Sequence, residues 1–199
     1  MKIYDITQPI FGCEIYPGDP SPERTALSSI NDGDLYNLTL FSMCAHNGTH
    51  IDAPSHFIKD GATVSEIELS KTVGYAYLAR FDGEMSGNDA EYILKSARAA
   101  KEEAAKRILI AGNATISNEA CEIFASSGIL LLGNESQSVG PEGAPMAAHL
   151  ALLSRGVVLL EGIRLQDVPE GVYLLSCAPI LLNGCDGAPC RAILLDDVN

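Results

Sequence analysis

Tryptophan is absent from this chain of 199 residues, and histidine occurs only four times. Basic residues are scarce as well, because 13 lysines and arginines stand against 26 aspartates and glutamates, which gives a formal net charge of -13. A surface this acidic repels phosphate groups, so we expect neither nucleic acid nor an anionic membrane surface as a partner. Divalent cations, in contrast, would offset part of this charge.

Long hydrophobic runs are also missing. The longest apolar stretch, residues 172–182, is too short to span a bilayer and contains a proline. The first ten residues, MKIYDITQPI, have no apolar run behind their lysine, which predicts a cytoplasmic protein. The six cysteines form no CxxC pair, so free and mostly buried thiols are expected. The length suits one domain over residues 1–199.

The chain changes in character near Phe81. Before it, short apolar runs such as residues 35–43 alternate with turn formers, which is typical of β-strands and loops. After it, all-apolar strands follow each of three predicted helices, at residues 86–107, 117–128 and 145–156. This alternation predicts a parallel sheet layer covered by helices. The expected fold is therefore a single α/β domain with an extra β-rich layer formed by its N-terminal part.

Helix-capping residues set the expected starts of two of these helices. Asn88 with Glu91 forms a candidate capping box for the first helix, and Ser117 is a candidate cap for the second. The third helix is expected to open at Pro145 and to close at Gly156.

Three of the four histidines fall within a dozen residues. His46, His50 and His56 lie with Asp52 in the stretch HNGTHIDAPSHF, residues 46–57. On an extended segment, residues two apart share a face, so the second histidine and the aspartate point the same way. A bend at the Asn-Gly pair can bring the first histidine beside them, and this donor set suits Zn²⁺ or a similar ion. His56 is either a further ligand or a free acid–base group.

The fourth histidine lies among apolar residues. His149 is in the middle of the third predicted helix, and Glu161 ends the apolar strand that follows. A buried carboxylate without a partner is costly, and functional sites gather at the carboxyl ends of parallel strands. A metal bound by both side chains would explain both positions. A salt bridge or hydrogen bond between them is the alternative, and the residues alone do not separate the two.

The stretch 46–57 resembles the motif HxGTHxDxPxHF of the cyclase family of metal-dependent hydrolases, which includes bacterial kynurenine formamidases and isatin hydrolases. The resemblance continues through YPGDP near the start, SQSVGP before the third helix and GCDGAPCRAILL near the end, and it covers nearly the whole chain. It implies a swivelling β/β/α fold with a mixed sheet, and a homodimer or homotetramer.

The resemblance also implies a site for two divalent ions, with Zn²⁺ as the expected metal and Mn²⁺ as the other candidate. The first ion would be held by His46, His50 and Asp52, and the second by Asp52, His149 and Glu161. His56 would be the catalytic imidazole. The implied reaction is hydrolysis of a linear or cyclic amide by water that the metal activates, with His56 passing a proton to the departing nitrogen.

Two departures from the formamidases concern the substrate. This chain has Tyr16 where they typically carry tryptophan, and it has GNESQ, residues 133–137, where they more often have a turn with aspartate. An aromatic substrate would stack on aromatic side chains, and Tyr16, Tyr36 and Phe41 are the candidates for this contact or else are core residues. Thr49 either orients one imidazole through a hydrogen bond or is present for its β-propensity.

The residues and the resemblance together predict a metal-dependent amidohydrolase of a linear or cyclic amide. The resemblance implies an arylformamidase-like activity toward N-formylkynurenine, in tryptophan catabolism, and the two departures weigh against this compound as the specific substrate. The alternatives are a hydrolase of isatin, lactams or lactones and a non-catalytic metal-binding module. The expected partner is a small-molecule amide or lactam. A purely structural metal site would have no need of His56, which favours the enzyme. Whether Cys44, beside the cluster, tunes the site or only packs stays open.

Overall fold

The computed structural model describes residues 1–196, so positions 197–199 of the predicted domain lie outside the described residues. This part of the chain forms thirteen β-strands and four α-helices. The strands are Lys2–Asp5 (β1), Glu23–Ser28 (β2), Leu38–Ser42 (β3), His50–Asp52 (β4), Val73–Arg80 (β5), Gly83–Met85 (β6), Arg107–Ala111 (β7), Ala114–Ile116 (β8), Leu131–Asn134 (β9), Val158–Glu161 (β10), Gly171–Ser176 (β11), Gly187–Pro189 (β12) and Ile193–Asp196 (β13). The helices are Leu69–Thr72 (α1), Gly87–Ala100 (α2), Asn118–Ser126 (α3) and Met146–Leu153 (α4).

Nine of the strands form one mixed sheet in the order β1-β13-β11-β5-β7-β9-β10-β4-β12. Within this sheet, the central strands β5, β7, β9 and β10 run parallel to one another. The strands on either side of them, β11 and β4, pair antiparallel with β5 and β10. The predicted α/β fold with its parallel layer is therefore confirmed. The predicted β-rich N-terminal part is present as well, but β1, β4 and β5 find their hydrogen-bonding partners in this same sheet rather than in an extra layer. Of the strands before Phe81, β2 and β3 pair outside it.

Apolar side chains cover both faces of the main sheet. On β7, Ile108 and Ile110 contribute to the core beneath the helices, whereas Leu109 and Ala111 contribute to the core of the opposite face. Alternate residues of a strand face opposite ways, so both faces must be covered. Helices α2, α3 and α4 pack side by side over the first face. The outer strands of the curled sheet, with residues such as Leu194, cover the second face.

All three predicted helices are present, but their boundaries differ. The first, α2, begins after Ser86, whose hydroxyl accepts from the Asp89 N–H while the Asp89 carboxylate accepts from the Ser86 N–H. This capping box replaces the predicted one at Asn88 and Glu91. The helix also ends earlier than predicted, because a 3-10 turn and β7 follow it. Ser117 caps α3 as predicted.

Strands β2 and β3 pair with each other apart from the main sheet, and we call residues 23–42 the β2–β3 hairpin. Its side chains are exposed along nearly all of both strands, including Leu40 at 57% and Phe41 at 54%. A two-stranded hairpin by itself is at best marginally stable in water. This arm therefore carries apolar surface that the chain itself does not cover.

All six cysteines are free, as predicted. Cys121, Cys177 and Cys190 are buried and the other three are half-buried, so the thiols are less uniformly buried than expected. Within residues 1–196, no helix combines the length and the apolar composition needed to cross a membrane.

Candidate metal centre

Strand β4 carries the centre of the candidate site. It lies between β10 and β12 and pairs antiparallel with both. The register places His50 directly opposite Glu161, and residues directly opposite each other project from the same face. Asp52 shares that face, because it is two residues from His50. All three side chains are buried on the face of the sheet that the helices cover.

A tight turn before β4 returns His46 to this cluster. Gly48 adopts φ 66, in the left-handed region that favours glycine, and the Asn47 N–H donates to the Cys44 carbonyl oxygen at 3.2 Å. His46 Nδ1 then lies 2.7 Å from Asp52 Oδ1, which is a hydrogen-bond distance. The structure thus contains the bend expected between the first two histidines. The backbone of Cys44 helps to shape the turn, and burial raises the pKa of its thiol.

Helix α4 supplies His149 from the layer above the sheet. The helix is shorter at both ends than predicted, but it still carries His149 with its side chain buried. His149 Nδ1 lies 2.8 Å from the Pro145 carbonyl oxygen, and His50 Nδ1 lies 2.9 Å from the Gly48 carbonyl oxygen. A hydrogen on each Nδ1 can donate to these carbonyls, which directs both Nε2 atoms toward the carboxylates.

Four nitrogen–oxygen distances relate these two histidines to the two carboxylates. His50 Nε2 lies 3.4 Å from Asp52 Oδ1 and 3.4 Å from Glu161 Oε2. His149 Nε2 lies 3.5 Å from Asp52 Oδ2 and 3.5 Å from Glu161 Oε1. Hydrogen bonds of this type measure about 2.7–3.2 Å. Ligands held about 2.0–2.2 Å from one tetrahedral ion stand about 3.3–3.6 Å apart, so these donors fit a divalent cation.

The burial of these side chains and the charge of the two carboxylates also favour a bound divalent cation. His50 Nε2 and Asp52 Oδ2 are buried, and neither has a hydrogen-bond partner among residues 1–196. Burial alone would lower the pKa of His50 and of His149, but the adjacent carboxylates of Asp52 and Glu161 raise each pKa to about 10. Two carboxylates this deep in the protein stabilise positive charge placed between them.

His56 lies at the opening of the cluster. It ends the 3-10 turn Pro54–His56 after β4, and its ring stacks on that of His46 with centroids 4.0 Å apart. Its Nε2 lies 4.0 Å from Asp52 Oδ2, and its Nδ1 lies 3.3 Å from Asp186 Oδ2. Burial and the charge of the neighbouring histidines lower the pKa of His56, although Asp52 opposes them. The lowered pKa favours a neutral imidazole near pH 7.

Two residues that the sequence did not predict also reach the site. Asp186 approaches both His46 and His56, and Phe57 stacks on His149 with ring centroids 4.4 Å apart. Phe57 could have been found, because it ends the HxGTHxDxPxHF motif. Asp186 lies in the GCDGAPC segment of the family resemblance, but its approach to the histidines was not predictable, since it lies 130 positions from His56 and strand pairing brings it close.

Of the two alternatives for Thr49, the hydrogen bonds of its hydroxyl do not include an imidazole. Its hydroxyl donates to the Gly162 carbonyl oxygen at 2.7 Å and accepts from the Gln8 N–H at 2.9 Å. Backbone carbonyls, rather than this hydroxyl, accept from the imidazoles. Thr49 instead joins the start of β4 to the residue that follows β10, and this contact helps to hold the site together.

A cavity of about 260 Å³ opens onto the cluster, and Tyr16 and Phe57 are among the residues that line it. Tyr36 and Phe41, the other predicted substrate contacts, are not among the lining residues in this chain. Both are more than half exposed, and Phe41 lies on β3. Neither side chain reaches this cavity, because β2 and β3 pair with each other instead of packing over the histidines, and the role of both residues as substrate contacts stays a prediction.

A cavity that ends on buried imidazoles and carboxylates places this α/β protein in the class of proteins with a metal site. A sequence model of the family described as "Putative cyclase" matches residues 4–141, well over half of the chain, so the protein belongs to the cyclase family. One curated relative is the kynurenine formamidase of Erythrobacter litoralis. It is 33% identical over 97% of this chain and 93% of its own.

Solved structures share the fold. "The Structure Of Potential Metal-Dependent Hydrolase With Cyclase Activity" superposes with a TM-score of 0.79 at 29% identity, covering 97% of this chain and 96% of that one. An isatin hydrolase bound to the product analogue thioisatinate superposes with a TM-score of 0.82, covering 98% of this chain and 92% of that one. Its identity is 18%, so this likeness concerns the fold alone.

Proposed function

We propose that this chain is a metal-dependent hydrolase of linear or cyclic amides, with arylformamidase activity toward N-formylkynurenine as the leading case. The observation that carries the proposal is the placement of two buried carboxylates and two imidazoles at ligand spacing beside a cavity. Similarity to a kynurenine formamidase over 97% of the chain supports an amide substrate. A cytoplasmic role in tryptophan catabolism is part of the proposal.

In this proposal two divalent ions, Zn²⁺ or else Mn²⁺, share Asp52. The orientation of its carboxylate supports sharing, because Oδ1 lies 3.4 Å from His50 Nε2 whereas Oδ2 lies 3.5 Å from His149 Nε2. His46, which now contacts Oδ1 at hydrogen-bond distance, would bind the first ion in place of that hydrogen bond. The first ion would be held by His46, His50 and Asp52, and the second by Asp52, His149 and Glu161. When bound, such ions supply Lewis acidity that polarises a carbonyl and lowers the pKa of water from about 15.7 to about 7.

His56 is the residue that would move the proton. Its Nε2 is directed toward the cluster, 4.0 Å from Asp52 Oδ2. In amide hydrolysis this nitrogen accepts a proton from the attacking water and delivers it to the leaving nitrogen. A non-catalytic metal-binding module would have no use for an imidazole placed in this way, so the geometry favours the enzyme.

The cavity suits a substrate with a single aromatic ring. Its volume of about 260 Å³ lies below the roughly 300–1,000 Å³ common for drug-sized ligands. Tyr16 and Phe57 line it, and aromatic side chains favour stacked or edge-on contact with an aromatic ring. An aryl formamide meets these requirements, and a lactam fused to an aromatic ring is the second candidate because it has the same two features.

The test is hydrolysis by the purified protein after it has been reloaded with Zn²⁺ or Mn²⁺. We expect turnover of N-formylkynurenine that a chelator abolishes and that added metal restores, because the reaction needs the ions. Chelator-treated protein is the blank, and isatin and a small lactam are assayed in parallel. Turnover of isatin alone would assign the substrate to the lactams. A metal-loaded protein that hydrolyses none of these compounds would contradict the proposal.

We also propose that two or four copies of the chain associate through the β2–β3 hairpin. The hairpin exposes Leu27, Leu38, Leu40 and Phe41, and several large apolar side chains left uncovered on one arm favour an interaction site. A cavity of about 670 Å³ beside it is lined by Phe41 together with apolar residues such as Ile10. An apolar arm and an apolar groove on the same chain suit a symmetric dimer, in which each arm fills the groove of the other copy.

Leu40→Ser combined with Phe41→Ser should disrupt this association, because the hydroxyls remove the apolar contact surface. By light scattering we expect the wild type to have two or four times the chain mass of 21.1 kDa, and the double variant to approach 21.1 kDa. Tyr92→Ser removes another exposed aromatic residue, on α2, and should keep the wild-type mass. A double variant with the wild-type mass would show that the interface lies elsewhere.

A further inference from the structure

The segment CDGAP, residues 185–189, contributes a carboxylate that the function proposed above does not use. Asp186 Oδ2 lies 2.9 Å from His46 Nε2 and 3.3 Å from His56 Nδ1. The two imidazole rings are stacked, so a single carboxylate oxygen reaches the edges of both. The side chain of Asp186 is 49% exposed whereas that of Asp52 is completely buried, so Asp186 lies on the solvent side of the cluster.

Backbone pairing fixes the position of this carboxylate. Asp186 directly precedes β12, whose Gly187 pairs with Asp52 of β4. The Ala53 N–H donates to the Asp186 carbonyl oxygen at 2.9 Å. A Cβ atom on Gly187 would stand 2.6 Å from His46 Cε1, so only glycine lets the strand approach the imidazole this closely. The sheet therefore holds the carboxylate beside the histidines.

An imidazole that transfers protons depends on its tautomer, because only the unprotonated nitrogen can accept a proton. A carboxylate at Nδ1 keeps the hydrogen there, leaves Nε2 as the base and stabilises the imidazolium that forms. In His56, Nδ1 faces Asp186 and Nε2 faces the cluster. We propose that Asp186 is a positioning residue that holds His56 in its Nδ1–H tautomer with Nε2 toward the substrate.

This inference rests on the proposed amide hydrolysis. In that reaction Nε2 of His56 accepts a proton from water and then delivers it to the leaving nitrogen. The hydrogen on Nδ1 stays there and keeps its hydrogen bond to the Asp186 carboxylate. Asp186 stays ionised throughout. The distance of 3.3 Å is long for a hydrogen bond, and contacts of this kind shorten when substrate binds. His46, His56 and Asp186 also form a group able to hold a cation, which the test must separate from positioning.

The first test reads the tautomer and needs no substrate. Because the chain has four histidines, a long-range ¹H–¹⁵N spectrum of the Zn²⁺-loaded, ¹⁵N-histidine-labelled protein contains few ring signals, and His56→Ala assigns the one required. We expect His56 to carry its hydrogen on Nδ1 in the wild type and to become a mixture of tautomers in Asp186→Ala. An unchanged His56 signal in that variant would overturn the inference.

The second test is kinetic and uses two backgrounds. Asp186→Ala should lower kcat about 10- to 100-fold, with KM within about twofold and the metal content unchanged. In the His56→Ala background the same substitution should lower kcat no further, because a positioning role affects kcat through the tautomer of His56. Asp167→Ala removes an exposed carboxylate that does not line the cavity and should keep the wild-type kcat.

Two kinetic results would contradict positioning. Loss of a metal ion in Asp186→Ala would assign Asp186 to metal binding, either as a ligand or through its contact with His46. An equal loss of kcat in both backgrounds would make its role structural. A wild-type protein inactive on every amide would refute the proposed function. The tautomer spectrum would still decide whether Asp186 orients His56, so the two failures are distinguishable.

Discussion

Asp52→Asn should give a folded protein that neither holds its metal ions nor hydrolyses amides. The two oxygens of Asp52 face different histidines, so one carboxylate contributes to both halves of the cluster. An amide replaces one of these oxygens with an NH₂ group, which donates hydrogen bonds and does not bind cations. The shape of the side chain is kept, so β4 should stay paired between β10 and β12. We expect the metal content to fall from two ions per chain to below one.

Metal content and stability measure this effect without an activity assay. Zn²⁺ at about 100 times its Kd should raise the free energy of unfolding of the wild type by about 2.7 kcal/mol per site, and that of Asp52→Asn by much less. Glu161→Gln is the matched comparison, because Glu161 belongs to the second proposed site alone and its loss should leave one ion. Two ions retained in Asp52→Asn would exclude the shared carboxylate, and two retained in Glu161→Gln would show that the second site is misplaced.

His56→Ala should lower kcat about 10²- to 10⁴-fold while both ions stay bound, because general acid–base groups contribute on this scale. His56 lies at the opening of the cluster with Nε2 directed inward, and its ring is more exposed than those of His50 and His149. Removing it should leave the ligand distances intact. The measurement is kcat with N-formylkynurenine, together with metal content by atomic emission.

His50→Ala is the comparison for this variant, because it should lose metal and activity together. If His56→Ala also lost an ion, His56 would be a metal ligand. This alternative exists because His56 forms, with Asp52 and His149, a group able to hold a metal ion. Full turnover by His56→Ala would show that its assigned role is wrong. The two histidine variants thus separate metal binding from proton transfer within one short stretch of sequence.

Local sequence patterns account for much of the fold. The apolar strands around Leu109 and Leu132 and the helix α3 between them follow from periodicity, and the hydroxyl of Ser117 marks the start of that helix. Local patterns do not say which strands become neighbours. Strand β4 lies between β10 and β12 although both are distant from it in the sequence. No local sequence pattern indicates which distant strands pair through hydrogen bonds. For this reason the sequence did not show that β1, β4 and β5 join the main sheet.

The site was predictable to the extent that its residues are close in sequence. The spacing of His50 and Asp52 predicts a shared face, and β4 provides it. His149 and Glu161 could be joined to them only through the family resemblance. Asp186 was missed, because its approach depends on the register between β12 and β4. Tyr36 and Phe41 lie close to the histidines in the sequence, but outside the cavity of the folded chain. Closeness in sequence does not show which way a hairpin turns.

Three of the proposed metal ligands and two of the cavity-lining residues come from different kinds of structure. His50, Asp52 and Glu161 stand on interior strands, whereas Tyr16 and Gln137 reach the cavity from loops. Loops accept substitutions and insertions more readily than interior strands do. Natural selection can therefore exchange these walls while the donors beneath keep their spacing. New substrates would then arise by changes in the loops, with the reaction chemistry inherited intact.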